Sequence, residues 1–244
     1  MKSVLRVLFA FVRSRATRAA FLAGIVGSAA GISASGRVSE SFDRGWLFWK
    51  AADESSAVRV DTPHTWNAID AFDDEPGYWR GLGIYEKELQ VDASDLERRL
   101  FLRFQGANQV AEVFVNGERA GRHVGGYTRF TVPLSPFLKE GVNQIRVEVD
   151  NTHDEQIPPL SADFTFYGGI YRNVHLLRVD PVHFDLGNLG SLGVFVEAPM
   201  VSAEEAEARV WGAVRNDGAE RRRVRLTTTV FDAEGAVVAE KEAW

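Results

Sequence analysis

The two-residue alternation of apolar and polar side chains limits the fold of this chain more than any other feature of its sequence. Leu100, Leu102 and Phe104 fall on one face of a short segment, and residues 144–150 alternate in the same way. Such alternation is typical of half-buried strands in an antiparallel sheet. Beyond residue 34, no segment repeats apolar residues at the helical spacing i, i+3, i+4 and i+7. The sequence therefore predicts an all-β fold.

Turn-forming residues divide the chain further and place a boundary near residue 180. Residues 113–115 lead into Asn116–Gly117, a dipeptide that favours a type I′ hairpin because both residues accept a positive φ. A β-sandwich is predicted over residues 39–180. Residues 181–244 hold about four strand-like segments, whereas an immunoglobulin-like sandwich needs about seven. The second unit is therefore either a small companion sheet or an incomplete domain.

The first 34 residues have the composition of an export signal. They carry five basic side chains and no acidic one, and residues 19–34 are uncharged, small or apolar. This order is typical of a secretory signal peptide, and the apolar run is shorter than the ~20 residues of a membrane span. We predict a signal peptide over residues 1–34, cleaved after Ala30 or Ala34, and a periplasmic or extracellular protein without a membrane span. An uncleaved anchor and a twin-arginine route are the alternatives, although no Arg-Arg pair is present here.

Charge and composition exclude several classes of function. Without the five basic residues of the signal, 23 basic side chains face 34 acidic ones, a net charge of −11. Nucleic acid is therefore not an expected partner. The chain has no cysteine, and its five histidines lack metal-ligand spacing. No metal or other cofactor is expected.

Six motifs, taken in order, point to one family. They are DTPHTWN (61–67), GYWRGLGIY (77–85), FLRFQGANQ (101–109), AEVFVNG (111–117), GRHVGGYT (121–128) and IPPLSADFTFYGGIYR (157–172). Together they resemble the amino-terminal sugar-binding domain of family 2 glycoside hydrolases, the β-galactosidase, β-glucuronidase and β-mannosidase group. The resemblance covers about residues 42–179. It implies a jelly-roll (galactose-binding-like) sandwich followed by an immunoglobulin-like domain, here apparently truncated.

The resemblance also implies one sugar-binding residue, Asp163. In the family, an aspartate of this loop reaches from the first domain into the pocket of the catalytic barrel and holds the sugar. The residues agree, since a carboxylate among Phe164, Phe166 and Tyr167 can accept hydrogen bonds from sugar hydroxyls while the rings cover the apolar face. Arg80 is a second candidate for the same rim. The alternative for both is a structural ion pair, of Asp163 with Arg80 or Arg172.

The remaining motif residues are predicted to be structural. Trp66 is expected to cap the sandwich core, Asn108 to satisfy backbone groups of a loop, and Asn116 to serve turn geometry. The segment Gly125–Thr128 predicts a close backbone approach with a buried Tyr127. Arg172 is also expected to be structural.

No catalytic residue is predicted in this chain. Retaining glycosidases use two carboxyl groups about 5.5 Å apart, and the family carries both in a (β/α)8 barrel, for which this sequence shows no βα alternation. The expected function is the non-catalytic amino-terminal part of an exported, β-galactosidase-like enzyme that hydrolyses O-glycosyl bonds. This part would be inactive alone, and its partners would be a β-glycoside and the missing barrel. The alternative is a stand-alone carbohydrate-binding or structural β-sandwich module.

Overall fold

The computed structural model describes residues 3–15, 22–24, 28–29, 32–33, 36–70, 72, 77–161, 164–202 and 205–244, the first four ranges by their backbone alone. The chain divides into two compact units, Ser39–Arg178 and a unit that combines Met1–Val38 with Val179–Trp244. None of the helices in the described ranges has the length and apolar character that crossing a membrane requires.

Strands dominate both units, and we number them in chain order. They are β1 (Ser3–Arg15), β2 (Leu22–Gly24), β3 (Ser28–Ala29), β4 (Ile32–Ser33), β5 (Val38–Ser41), β6 (Trp46–Lys50), β7 (Val58–Val60), β8 (Leu82–Val91), β9 (Arg99–Phe104), β10 (Val110–Val115), β11 (Glu118–Val124), β12 (Phe130–Pro133), β13 (Gly141–Asp150), β14 (Val174–Val179), β15 (Val182–Phe184), β16 (Val194–Val201), β17 (Glu205–Asn216), β18 (Leu226–Phe231) and β19 (Val237–Ala243). The single α-helix of the described ranges, α1, spans Ala93–Glu97, and 3-10 turns lie at Glu54–Ser56 and Ser135–Phe137. The predicted all-β fold is confirmed.

The unit Ser39–Arg178 is a sandwich of two sheets. The larger sheet has six strands in the order β11-β10-β13-β8-β6-β7, and the smaller has four in the order β12-β9-β14-β5. The long pair β8 and β13 is antiparallel, with Val91 opposite Gly141 at one end and Leu82 opposite Asp150 at the other. Neighbouring strands in sequence are thus spread over both sheets, which brings several loops to the same end of the sandwich.

Alternate side chains from both sheets form the core of this sandwich. Leu100, Leu102 and Phe104 on β9 are fully buried, and they join Ile145 and Val147 of β13 in one apolar cluster. Burying each such side chain contributes about 1.5–3 kcal/mol relative to leaving it exposed. The alternation seen in the sequence therefore identifies the core positions correctly.

The hairpin between β10 and β11 has the predicted turn. Asn116 and Gly117 have φ values of 51° and 83°, which are positive at both central positions, as a type I′ turn requires. The Asn116 side chain donates to the Phe137 carbonyl at 3.0 Å, and its Oδ1 accepts from the Gln144 N–H at 3.0 Å. Asn116 therefore serves turn geometry, as predicted.

The second unit is built around the long strand β17. Strands β1, β15 and β16 each pair antiparallel with β17, and β18 pairs with β19 and β2 in a second sheet. Its small core includes Val210, Val214 and Leu226. The described part of residues 181–244 holds five strands, β15 to β19, where the sequence predicts about four. The signal peptide over residues 1–34, the jelly-roll topology and the immunoglobulin-like character of residues 181–244 stay predictions.

Candidate functional site

The loop that joins β13 to β14 carries the candidate site. Asp163, the predicted sugar ligand, lies outside the described residues. The described residues nearest to it in sequence are Ser161 and Phe164, and the segment Phe166–Ile170 follows shortly after. The hydrogen bonds that this segment makes determine how rigid this end of the loop is.

Each of the five residues of Phe166–Ile170 makes a backbone hydrogen bond to a residue outside this segment. For the first three residues, the partners are asparagine side chains from three different loops. The Phe166 carbonyl accepts from Asn151 Nδ2 at 3.4 Å, the Tyr167 carbonyl accepts from Asn108 Nδ2 at 2.9 Å, and the Gly168 N–H donates to Asn67 Oδ1 at 2.7 Å. Buried side-chain amides such as these are hydrogen-bonded in native proteins, and breaking one bond leaves a backbone group unpaired.

The last two residues of the segment are held by backbone and tyrosine contacts. Gly169 exchanges two backbone hydrogen bonds with Asn108, at 3.0 and 3.2 Å. The Ile170 carbonyl accepts from the His64 N–H at 2.8 Å, and the Ile170 N–H donates to the Tyr85 hydroxyl at 3.3 Å. The segment is therefore fixed along its whole length.

Asn67 connects a further pair of segments. Its Nδ2 donates to the Trp79 carbonyl at 2.8 Å and to Asp70 Oδ2 at 2.6 Å, and the Trp79 N–H donates to the same Asp70 oxygen at 2.8 Å. Asn67 is 2% exposed. The role predicted for Asn108 is confirmed, but the equivalent roles of Asn67 and Asn151 were missed. The only sequence signal for Asn67 is its place beside Trp66 in the first motif.

Two glycines permit the loop to pack this closely. A Cβ at Gly168 would lie 2.2 Å from Trp66 Cζ2, and a Cβ at Gly169 would lie 2.6 Å from the Tyr85 hydroxyl oxygen. Gly169 also has a φ of +112°, which glycine adopts readily. Trp66 is 6% exposed and stacks on Phe48 with ring centroids 5.8 Å apart. Trp66 therefore caps the core, as predicted.

His64, which is partly buried, and Tyr85, which is buried, form a pair beside the loop. Tyr85 is fully buried, and its hydroxyl lies 2.8 Å from His64 Nδ1. Burial raises the pKa of Tyr85 and lowers the pKa of His64, so both side chains stay neutral. Because the hydroxyl accepts from Ile170, its proton is available for His64 Nδ1. The pair supports the loop through the Tyr85 hydroxyl, which holds the Ile170 N–H.

Arg80 lies among aromatic rings next to the same loop. Its guanidinium sits 4.9 Å from the ring centroid of Tyr78 and 5.5 Å from that of Phe166, and it also donates to the Tyr78 hydroxyl. Its Nη1 is 3.4 Å from His153 Nδ1. Within the described part of the chain, no carboxylate pairs with Arg80. Its stacked position keeps a donor group close to the segment that follows Asp163.

Exposed aromatic side chains and an open cleft adjoin Arg80. Phe164 is 57% exposed and packs edge-on against Phe166, with centroids 5.3 Å apart. Tyr167 is also half exposed. His153 lines a cleft of about 450 Å³, whose walls also carry Glu148 and Asp150. Ring faces beside hydrogen-bonding side chains are the surface that a sugar recognises.

The prediction of a buried Tyr127 is wrong. Tyr127 is 46% exposed, and its ring lies edge-on to Tyr171 at 6.4 Å. The predicted close approach is real but belongs to Gly126, where a Cβ would lie 2.1 Å from Asn108 Oδ1. Position 126 requires glycine because the Asn108 side chain packs against its backbone, whereas the Tyr127 side chain is exposed. Arg172 lies over the Tyr171 ring, 5.2 Å from its centroid.

Several acidic residues of the sequence cannot be placed at the site. The adjacent acidic residues Asp73 and Asp74, and also Glu204, lie outside the described residues. Where the structure describes side chains, no three His, Asp or Glu come together as ligands of a metal ion would. The described side chains next to the loop are aromatic rings, amides and a guanidinium, with the carboxylates of Glu148 and Asp150 in the adjoining cleft.

Comparison with known proteins identifies a family whose members share this domain. The family model for the sugar-binding domain of glycosyl hydrolases family 2 matches residues 37–180. That range contains the whole two-sheet sandwich and the loop at its end.

Relatives with two enzyme names are similar to the chain. A β-glucuronidase of Bacteroides fragilis is 44% identical over 150 residues, which is 61% of this chain and 22% of that protein. A β-galactosidase of Bacteroides ovatus is 31% identical over 192 residues, 74% of this chain and 21% of that protein. The chain thus spans about a quarter of the length of the curated relatives that it matches.

A solved structure has the same fold. The crystal structure of a Bacteroides uniformis β-glucuronidase is 36% identical and has a TM-score of 0.79. The similarity covers 85% of this chain and 26% of that one.

Proposed function

The chain belongs to glycosyl hydrolases family 2, and we propose that it is the non-catalytic, sugar-binding amino-terminal part of an exported enzyme that hydrolyses O-glycosidic bonds. Catalysis would be supplied by a (β/α)8 barrel that holds both carboxyl groups. The finer assignments, a jelly roll followed by an immunoglobulin-like domain, belong to the same proposal.

The anchored segment Phe166–Ile170 supports this proposal more than any other observation. Five consecutive hydrogen-bonded residues fix the loop end just after Asp163. Most of the segment is buried, so its backbone groups need these partners, and together the contacts hold it in one conformation. A fixed loop can present a carboxylate to a sugar with little loss of conformational entropy on binding.

Asp163 and Arg80 are the proposed sugar contacts. The carboxylate of Asp163 would accept hydrogen bonds from two sugar hydroxyls. Arg80, which is held between Tyr78 and Phe166, would donate to sugar oxygens from the side of the same loop. Phe164, which is largely exposed, would cover an apolar face of the sugar ring.

The sugar is proposed at the level of a β-glycoside. The relatives' printed names include both β-glucuronidase and β-galactosidase. Glucuronides and galactosides differ in the configuration at C4 and also at C6, where only the glucuronide carries a carboxylate. Paired assays with p-nitrophenyl β-D-glucuronide and p-nitrophenyl β-D-galactoside therefore separate the two substrates.

The test uses the complete product of the gene that encodes this chain. Asp163→Asn and Arg80→Met should each lower kcat/KM by roughly tenfold or more, since each removes charge-assisted hydrogen bonds. Asp53→Asn and Arg222→Met serve as matched controls, because both side chains are exposed and neither belongs to the loop between β13 and β14. If all four variants match the wild type, the assigned sugar contacts are wrong.

A further inference from the structure

The outer face of the four-stranded sheet carries three buried polar atoms without a hydrogen-bond partner. They are Thr131 Oγ1 on β12, Arg103 Nε on β9 and His175 Nδ1 on β14. Neighbours on either side of each residue, such as Phe104, Phe130 and Val174, point into the core. Side chains alternate along a strand, so Thr131, Arg103 and His175 share the face that points away from the core.

Strand register places the three side chains in one row. Thr131 is directly opposite Arg103 in the antiparallel pair of β12 and β9. Strands β9 and β14 are also neighbours, with the Gln105 N–H donating to the Asn173 carbonyl at 3.0 Å and Arg98 donating to the Arg178 carbonyl at 3.4 Å. This pair is therefore antiparallel. Arg103, two residues before Gln105, lies beside His175, two residues after Asn173.

A second arginine adds to the positive charge of this row. Arg129 precedes Thr131 by two residues, so it lies on the same face and diagonal to Arg103. Burial and the charge of Arg129 both lower the pKa of Arg103. Within the described ranges, neither Arg103 nor Arg129 forms an ion pair. Buried polar groups in native proteins have partners, and an orphaned group calls for an unobserved water or ion.

We propose that the row Thr131–Arg103–His175, together with Arg129, is a binding site for an oxyanion such as a carboxylate or a sulfate. Both guanidinium groups, the threonine hydroxyl and the imidazole can donate hydrogen bonds to its oxygens. The positive charges of Arg103 and Arg129 repel each other, and a bound anion would offset this repulsion, whereas a neutral sugar would not. The oxyanion has two sources, the C6 carboxylate of a uronic acid and a free inorganic anion. This site is built from strand residues of the four-stranded sheet and does not include Asp163 or Arg80, so it does not depend on the proposed function.

The experiment measures anion binding to the 244-residue chain. Its thermal unfolding is followed in sodium glucuronate, in sodium sulfate and in sodium chloride, all at the same ionic strength. A fourth sample contains glucose in the same sodium chloride solution. Glucuronate or sulfate should raise Tm with a saturable concentration dependence, whereas glucose should match chloride. Stronger binding of glucuronate supports a uronic acid, and stronger binding of sulfate supports a free inorganic anion.

Variants locate the bound anion. Arg129→Ala and Arg103→Met should each weaken binding roughly tenfold, since each removes a charge-assisted contact. Arg129 is exposed, so its variant should fold even where Arg103→Met does not. Arg119→Ala is the matched control, because it removes the same charge from β11, where Arg119 pairs with Glu112 at 3.2 Å. The proposal is wrong if neither anion exceeds chloride, or if Arg129→Ala binds like the Arg119→Ala control.

Discussion

Asn67 Oδ1 accepts a 2.7 Å hydrogen bond from the Gly168 N–H across 101 residues of sequence. The bond joins the first motif of the sandwich to the loop that follows Asp163. It is buried, and the other end of the same amide holds the Trp79 carbonyl. Asn67 is thus the point at which three separated segments meet.

Replacing Asn67 by alanine should destabilise the protein. The substitution leaves the Gly168 N–H and the Trp79 carbonyl without their buried partner, which costs about 1–3 kcal/mol for an unsatisfied group. Urea unfolding followed by tryptophan fluorescence measures the loss. Asn188→Ala is the control, since Asn188 is exposed, and it should change the free energy of unfolding by less than about 0.5 kcal/mol. Equal stability of the two variants would contradict the role given to Asn67.

Gly168→Ala should be destabilising for a different reason. The added Cβ would meet the Trp66 indole at 2.2 Å and the Asn151 amide at 2.6 Å. Since both neighbours are buried, the clash should cost about 1–3 kcal/mol, the usual cost of overpacking. Gly187→Ala is a suitable control because the nearest atom to its Cβ is a carboxylate oxygen 3.3 Å away. Thermal unfolding compares them, and a Gly168→Ala protein as stable as the control would disprove the tight packing.

The stability of the protein should fall between pH 7.5 and 5.5, partly because of His64. Burial lowers the pKa of His64 from its ordinary value of 6.5, so below that value the unfolded chain binds a proton that the folded one does not. His64→Gln should therefore show a smaller fall, by less than about 1 kcal/mol, because solvent reaches part of the ring. Replacing the exposed His153 by glutamine should leave the loss of stability between pH 7.5 and 5.5 as large as in the wild type. Parallel curves for His64→Gln and the wild type would refute this.

Export should leave a defined amino terminus. We expect the secreted protein to begin near Ser35 or Gly31, because small residues precede both positions. Edman degradation or intact-mass analysis of protein from the medium or periplasm tests this. A cytoplasmic product that retains Met1 would show that the leader prediction is wrong.

The strands of the sandwich could be predicted because their signal is local. Leu100, Leu102 and Phe104 alternate within five residues, and the Asn116–Gly117 turn is specified by its own dipeptide. Helix α1 was missed because its single turn is too short for apolar periodicity. Asp92 caps it, accepting from the Asp95 N–H at 2.9 Å, which is the one local signal that the sequence held.

Apart from the role of Asn108, the support of the loop could not be predicted, because no local pattern pairs these side chains with the segment that they hold. Nothing near Asn151 in sequence indicates that its amide donates to the Phe166 carbonyl. The wrong prediction of a buried Tyr127 has the same origin. The Gly125–Gly126 pair indicates that another group packs closely against the backbone, but it does not identify that group. Asn108, the neighbour in question, is known only from the fold.

The hydrolysis of p-nitrophenyl β-D-glucuronide and p-nitrophenyl β-D-galactoside tests the central claim most directly. The assay compares the purified 244-residue chain with the complete product of its gene. We expect no turnover by the chain and turnover of one substrate by the complete product, with kcat/KM reduced in its Asp163→Asn variant. Turnover by the chain alone, or a complete product that cleaves neither these two glycosides nor p-nitrophenyl β-D-mannoside, would contradict the assignment of this chain as the non-catalytic part of a glycosidase.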